Sequence, residues 1–355
     1  MGRHVPPRVT YWTGTWDPAR EAISKEIESL RSGARRRSPV VAFSVGNRTR
    51  LDRRAATLML SHRRWLLLRA VAALVEPTAD VSHVFGGGGS WHLLRALGRR
   101  PIVLTAVVPT DDAATLPLEA CVRVVVETEA AMAVWRAAHV PEDRLSIVRP
   151  GIDLARFRPQ PPADGPFTLL FASTPSDAAE IAPRGIPLLV ELARARPEIA
   201  IVVPWRQWGD VAAAKQALAA LRPPGNFRVL HEPIADMAAL VARVHATVVA
   251  FAPGVGKSCP NFVVEGLAAG RPAIVAERLD LADLVERHCA GVAVDRSVAG
   301  LSRGVDVLIR EWQARGERAR ALAEREFDET TFRDRYARIY EDVVDEHRRR
   351  RQATH

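Results

Sequence analysis

Apolar and polar residues change period repeatedly along this chain. Residues 9–13 form an apolar, β-branched and aromatic run that stops at Gly14, and 18–30 then place Ala22, Ile23, Ile27 and Leu30 at helical spacing. Strand and helix follow in alternation. The pattern predicts further strands at 39–45, 81–85, 101–108, 121–127 and 145–149, with one or two helices at 55–74 and helices at 91–97 and 129–138. These apolar runs lack in-and-out alternation, which marks a parallel sheet covered on both faces.

Between 150 and 166 the periodicity dissolves into Gly151, Pro159, Pro161, Pro162, Asp164 and Gly165, a stretch too rich in turn formers for a regular element. A linker is placed there. A second cycle begins at Phe167, with strands at 167–172, 200–203, 228–230, 246–251, 272–275 and 291–294. Helices alternate with them at 186–196, 211–221, 237–244, 261–269 and 282–289. Helical spacing returns over 298–324, and Phe327, Phe332, Tyr336, Ile339 and Tyr340 lie in a last helical stretch. The expected fold is α/β: two Rossmann-like, doubly wound parallel-sheet domains at 1–155 and 156–326, a helix at 327–345 and a basic tail at 346–355. Such sheets bind ligands beyond the carboxyl ends of their strands, so the expected ligand site is an interdomain cleft.

Composition narrows the picture. At 355 residues the chain exceeds one ordinary core, and 48% hydrophobic with 26% charged residues is the balance of a globular protein. The longest apolar runs, such as 246–253, fall short of the roughly 20 residues that cross a bilayer. No signal-peptide core is read at the start, so a cytoplasmic location is expected. Cys121, Cys259 and Cys289 are too few and too scattered for a disulfide framework or a paired-cysteine zinc site. The formal charge is +9, yet among 50 basic residues only Lys25, Lys215 and Lys257 are lysines. That bias points to solvated surface, with attraction of an anionic partner as the alternative, and no nucleic-acid partner is expected. Arg348 to Arg351 would either form a disordered end or touch an anionic membrane surface.

The most informative segment runs from Gly256 to Pro272. A loop holding Gly256 and Lys257 leads into Ser258-Cys259-Pro260-Asn261-Phe262, a helix follows, and Gly270 with Pro272 ends it. Ser258 and Asn261 are both capping residues, and Pro260 suits an early helical position. Unpaired amides and the helix dipole make such a terminus an anion site. Glu265, one turn inside, is either a ligand for a ribose diol or an ordinary exposed helix residue.

Here the chain resembles the retaining GT-B glycosyltransferases of the family 4 type. Glu265-Gly266-Leu267-Ala268-Ala269-Gly270-Arg271-Pro272 matches the second half of their Glu-x7-Glu signature, whose first glutamate falls on Lys257; Ser258 to Asn261 resembles a Ser-Cys-Pro-Asn variant of the same loop. The segment 148–159 resembles the family's interdomain Val-x-Pro-x-Gly-[Val/Ile]-Asp segment, with one residue fewer before the glycine. Arg184-Gly185 resembles the Lys-Gly used on the donor diphosphate, and arginine offers phosphate a bidentate fork. The resemblance implies two Rossmann-like domains, a last helix returning to the N-terminal domain, and transfer of a sugar, a hexose above all, from a nucleotide-diphosphate sugar to an acceptor hydroxyl with retention. It implies no cofactor and no metal.

Arg184 and Lys257 are the candidate catalytic cations. Ser173, Thr174, Ser258, Cys259, Pro260, Asn261, Phe262, Glu265 and Trp205 join them as donor contacts, Trp205 either stacking on the base or packing in the core. Gly14, Thr15, His83, Gly86 and Gly87 are the acceptor-side candidates, with His83 alternatively structural. The chain departs from the family at three places: Lys257 replaces the first glutamate, Ala172-Ser173-Thr174-Pro175 stands where an arginine is usual, and Ala106 and Val107 stand where a histidine is common. Lys257 is expected to restore the charge of the missing arginine. Two rival functions stay open, a nucleotide-sugar-binding protein that has lost turnover and a dinucleotide-dependent redox enzyme. The latter needs Gly-x-Gly-x-x-Gly after a strand, a spacing that Gly86 to Gly89 lack. The acceptor, the sugar, the base and the oligomeric state are not specified.

Overall fold

The protein's structure is a computed structural model that describes residues 6–19, 21–32, 38–44, 49–61, 66–86, 91–107, 121–206 and 209–353. The chain divides into two compact units, one holding Met1–Gly151 with Glu329–His355, the other Ile152–Asp328.

The first unit runs β1 (Val9–Thr13), α1 (Ala22–Ser32), β2 (Val40–Ser44), β3 (Arg50–Asp52), β4 (Thr57–Ser61), α2 (Leu68–Val75), β5 (Val81–Gly86), α3 (Trp91–Ala96), β6 (Ile102–Ala106), β7 (Cys121–Val126), α4 (Glu129–Ala137) and β8 (Leu145–Ile147). Its eight strands lie in the order β3-β4-β2-β1-β5-β6-β7-β8. All pairings are parallel except β3 with β4. This corrects the helix expected from residue 55. Thr57 to Ser61 pair in parallel with Val40 to Ser44 and antiparallel with Arg50 to Asp52, so a neighbouring strand edge decides a short apolar run whose period alone is ambiguous.

The second unit runs β9 (Phe167–Leu170), α5 (Ile186–Ala195), β10 (Ile199–Pro204), α6 (Val211–Ala220), β11 (Phe227–Leu230), α7 (Met237–Arg243), β12 (Ala246–Val249), α8 (Asn261–Ala268), β13 (Ala273–Ala276), α9 (Ala282–Arg287), β14 (Gly291–Val294) and α10 (Val298–Glu326). Its six strands are all parallel, in the order β11-β10-β9-β12-β13-β14. The order reverses between β9 and β12, the crevice where doubly wound sheets bind ligands. Two parallel-sheet α/β units therefore stand as the sequence pattern predicts.

α11 (Glu329–Ala353) closes the chain and packs in the first unit, against α1, β5 and β7. It carries the helix through the segment expected as a disordered tail, where Arg348 pairs with Asp345 at 3.4 Å and Arg350 with Glu346. Spacing of three and four residues on a helix explains that order. Among the described residues no helix is long and apolar enough to cross a membrane.

The buried face of α11 adds Phe332, Tyr336, Tyr340, Val343 and Val344 to a core containing Val9, Tyr11, Val81, Phe85 and Val103. A polar network runs through it. His83 Nδ1 lies 2.7 Å from Tyr340 Oη and its Nε2 lies 2.7 Å from Thr105 Oγ1, which is 2.8 Å from Tyr336 Oη. Tyr340 Oη also lies 3.4 Å from Tyr11 Oη. His83 is wholly buried and both ring nitrogens are engaged, which corrects the expectation that it contacts an acceptor. It fastens α11 to β5 and β6 instead.

Burial holds the His83 imidazole well below its usual pKa, so the folded state keeps it neutral while the unfolded chain protonates near pH 6.5. Its contribution is present above that value and is lost as the pH falls below it. His83→Ala should cost about 3 kcal/mol at pH 7.5 through a cavity and two abandoned hydroxyls. In urea titrations the gap between variant and wild type should narrow at pH 5.5; a gap that stays constant would show that His83 does not titrate with unfolding.

Candidate functional site

The candidate site lies at the carboxyl edge of the second unit's sheet, at the β9/β12 reversal. Beyond β9 the chain passes Phe171 and Ala172 to Ser173, and beyond β12 it passes Ala250 to Phe251. The rings of Phe171, Phe251 and Phe262 form a buried floor, Phe171 lying 6.1 Å centroid to centroid from each of the other two.

Arg184 rests on this floor, its guanidinium carbon 5.9 Å from the centre of the Phe251 ring. Two residues fix the fork through its three nitrogens. Nε donates to Glu180 Oε2 at 2.9 Å, Nη2 lies 2.9 Å from the same oxygen, and Nη1 donates to Ser173 Oγ at 2.5 Å. Glu180 also accepts from Ser176 N at 2.8 Å. Burial works against its charge, but Arg184 and the Ser176 amide together hold its carboxyl below the usual range.

The backbone beneath Arg184 is locked to the end of β12. Ala252 N donates to Pro183 O at 2.7 Å, and Arg296 donates to Ala250 O and Ala182 O, each at 2.9 Å. Gly185 is left-handed, with φ of 76°, and a β-carbon there would stand 2.1 Å from Ala250 O. Only glycine meets both demands.

The loop before α8 abuts the same ring. Gly256 has φ of 78°, and a β-carbon on it would lie 2.7 Å from Phe251 Cε2. Phe251 therefore spaces the Arg184 turn from the Lys257 loop by one aromatic ring. Lys257 Nζ donates to Asn261 Oδ1 at 3.3 Å. Ser258 is buried, and its Oγ has no hydrogen-bond partner. An orphaned hydroxyl in a buried place is costly, and a ligand oxygen would satisfy it.

The α8 terminus corrects the capping expectation. Pro260 occupies the N-cap and no side chain caps, because Asn261 is taken by Lys257 and Ser258 by burial. The amides of Asn261 and Phe262 make no backbone hydrogen bond, so they and the helix dipole are left for an anion. Glu265 is 4% exposed, which removes the reading as an ordinary surface residue.

Several expected contacts fall elsewhere. Thr174 is buried, donating from Oγ1 to Pro204 O at 3.2 Å and accepting from Arg206 N at 3.0 Å; it ties the end of β9 to β10. Trp205 packs in the core at 2% exposure, so its ring is not available to stack on a base. The Cys259 and Phe262 side chains are core as well, leaving only their backbones for a ligand. In the first unit, Gly14 and Thr15 are half-buried beyond β1, Gly86 ends β5, and Gly87 lies outside the described residues. Glu180 and Arg296 were not anticipated. The four-residue spacing of Glu180 from Arg184 is a readable signal; Arg296 gives none in the sequence.

No family model matches the chain, and no curated protein matches it in sequence. Its fold has many solved counterparts. HepE of Anabaena in complex with UDP and glucose superposes with a TM-score of 0.74 at 16% identity, over 94% of this chain and 99% of that one. Sucrose-phosphate synthase of Thermosynechococcus elongatus gives 0.73 at 13%, over 95% and 99%. The trehalose-6-phosphate synthase OtsA gives 0.67 at 12%, over 94% and 99%. The protein has the GT-B fold.

The lock beneath Arg184 is open to a direct check. Gly185→Ala should lower stability by about 3 kcal/mol in chemical denaturation, since a side chain there meets a carbonyl and a left-handed backbone together. Stability within 0.5 kcal/mol of wild type, roughly the scatter of a surface substitution, would mean that the turn yields freely.

Proposed function

We propose that the chain is a glycosyltransferase of the retaining family 4 type that moves a hexose from a nucleoside-diphosphate sugar to an acceptor hydroxyl. One observation carries this reading: Arg184 lies over the Phe251 ring, and the same ring abuts Gly256 of the loop that leads through Lys257 and the orphaned Ser258 hydroxyl to the Asn261 and Phe262 amides. Such groups suit an anion, on the fold that HepE, crystallised with UDP and with UDP-glucose, also has.

The chemistry follows from that charge. The bond from the anomeric carbon to the diphosphate oxygen breaks, its electron pair leaves with the diphosphate, and the acceptor oxygen bonds to the same carbon. The hydroxyl proton passes to the released diphosphate. Charge grows on the leaving oxygen in the transition state, so fixed cations and amides there lower the barrier more than they tighten donor binding. Arg184 is the better placed, because Glu180 and Ser173 hold its fork before any donor arrives. Lys257 supplies the second charge, and Ser258 with the two amides contacts the diphosphate. Glu265 takes the ribose diol. Trp205 and Thr174 have no part in this account, nor does His83, and no metal step is invoked.

A uridine nucleotide is the first donor to test, and a panel of nucleotide sugars is the experiment. Transfer or slow hydrolysis is the expected result. Tight binding without turnover would favour the non-catalytic reading, and no binding to any nucleotide sugar would remove the proposal. Arg184→Ala should lower kcat about 10²-fold with a smaller change in KM, the pattern of an interaction that strengthens in the transition state. Lys257→Ala should raise the donor KM about tenfold, as expected for loss of one charge-assisted phosphate contact; an unchanged KM would remove Lys257 from the donor site.

A further inference from the structure

The outer face of α2 is apolar, and it belongs to a strongly basic stretch of the chain. We propose that this helix seats the first unit on an anionic lipid surface, its leucines entering the interface and the neighbouring arginines meeting the headgroups. The contact lies wholly in the first unit and stands apart from the donor reading. It also differs from the contact expected of the C-terminal tail, where Arg348 and Arg350 are already paired with Asp345 and Glu346.

Inward, α2 buries Leu68 and Ala72 in the core, and Val71 and Val75 pack partly against the same cluster. The opposite side of a surface helix normally carries polar and charged residues. Here it presents Leu67, Ala70 and Leu74 at positions i, i+3 and i+7, one row along the helix, with Leu66 just before them. Leu66, Leu67 and Leu74 are 72%, 49% and 76% exposed, and Ala70 is exposed as well. Elsewhere on the described helices a large exposed hydrophobic stands singly, as Val134 does on α4 and Ile309 on α10, and single ones need no partner. A row on one short helix calls for a covering surface.

Charge decides what covers it. Residues 53–110 hold eight arginines against two acids, so six of the chain's nine net positive charges fall in this stretch. Both acids are occupied. Glu76 is buried, accepting from Ser82 Oγ at 3.1 Å and from the Gly98 and Arg99 amides at 3.3 Å, and Asp80 accepts from Arg8 N at 2.8 Å. Arg69, exposed on α2 itself, makes no ion pair or hydrogen bond among the described residues. Arg99 Nη1 donates to Ala73 O at 3.2 Å and Arg100 Nη2 to Pro77 O at 3.1 Å. Both guanidiniums thus close the end of α2 through carbonyls, which leave their positive charge in place. An apolar row beside such cations matches the interface of an anionic bilayer, where leucines leave water and each nearby arginine gains attraction to the headgroups. A second copy of the chain would set the same arginines against one another.

Flotation of the full chain with lipid vesicles tests this. The probes are vesicles of phosphatidylcholine alone and of phosphatidylcholine mixed equally with phosphatidylglycerol, at low ionic strength. Partition onto the mixed vesicles is expected, weaker by about tenfold in Leu74→Gln and by about fivefold in Arg69→Gln. Leu74→Gln keeps the net charge, so attraction of a basic protein to an anionic surface without insertion would not register it. Ile309→Gln, the same kind of change at an isolated exposed site of the second unit, should bind as the wild type does. All three side chains are exposed, so the variants should fold; thermal midpoints serve as the check, and Leu66→Gln repeats the test should Leu74→Gln melt early. Absence of binding to the mixed vesicles, equal binding to phosphatidylcholine alone, or a loss in Leu74→Gln no larger than in Ile309→Gln would overturn the proposal. So would a dimer in sedimentation that Leu74→Gln dissociates, because the leucines would then face a second copy.

Discussion

The second unit's chemistry depends on one constraint, the left-handed turn at Gly185 pressed against Ala250 O. It brings Pro183 O onto Ala252 N and gives Arg296 two carbonyls to bridge, so the cation of Arg184 has a fixed origin at the end of β12. Around that origin the remaining geometry is set by a single ring. Phe251 has Arg184 over its ring and Gly256 against the same ring, so the Arg184 turn and the loop leading to α8 share one aromatic contact. Backbone and aromatic packing thus hold these segments before any ligand arrives, the kind of preorganisation that charge stabilisation needs.

Arginine does similar structural work across the chain. Arg271 is buried and donates to Gln160 O, Val241 O and Ala242 O, at 2.7, 3.3 and 2.6 Å, closing the end of α7; burial presses its pKa down to about 10. Arg320 donates to Leu154 O, Phe157 O and Ala268 O, at 3.2, 2.8 and 2.7 Å, and so closes the end of α8. Arg31 holds Ser38 O and Ala55 O in the first unit. Helix carbonyls at a C-terminus are partly negative, and a guanidinium reaches several of them at once. Part of the +9 charge is therefore inside the structure as backbone glue, not solvated surface, and a lysine in these places could not branch to the same carbonyls.

The parallel sheets were legible because buried parallel strands are continuous apolar runs, and the helix from Asn261 because its loop and stop are written in Gly256, Gly270 and Pro272. What escaped was whatever depends on a distant partner. Thr57 to Ser61 becomes a strand only because β2 offers an edge; His83 becomes structural only because Tyr340, 257 residues later, meets its ring. Trp205 and Thr174 sit beside the crevice in sequence, yet one fills the core and the other straps two strands, a distinction of side-chain direction that no motif encodes. Glu180 was readable at helical spacing from Arg184, but only the fold shows that the pair sits at the crevice.

The most direct measurement is a crystal structure of the protein with a nucleoside diphosphate. A phosphate should lie within hydrogen-bonding distance of the Arg184 guanidinium and of the Asn261 or Phe262 amide, with the ribose against Glu265. A nucleotide bound at ordinary occupancy with its phosphates away from both groups would contradict it.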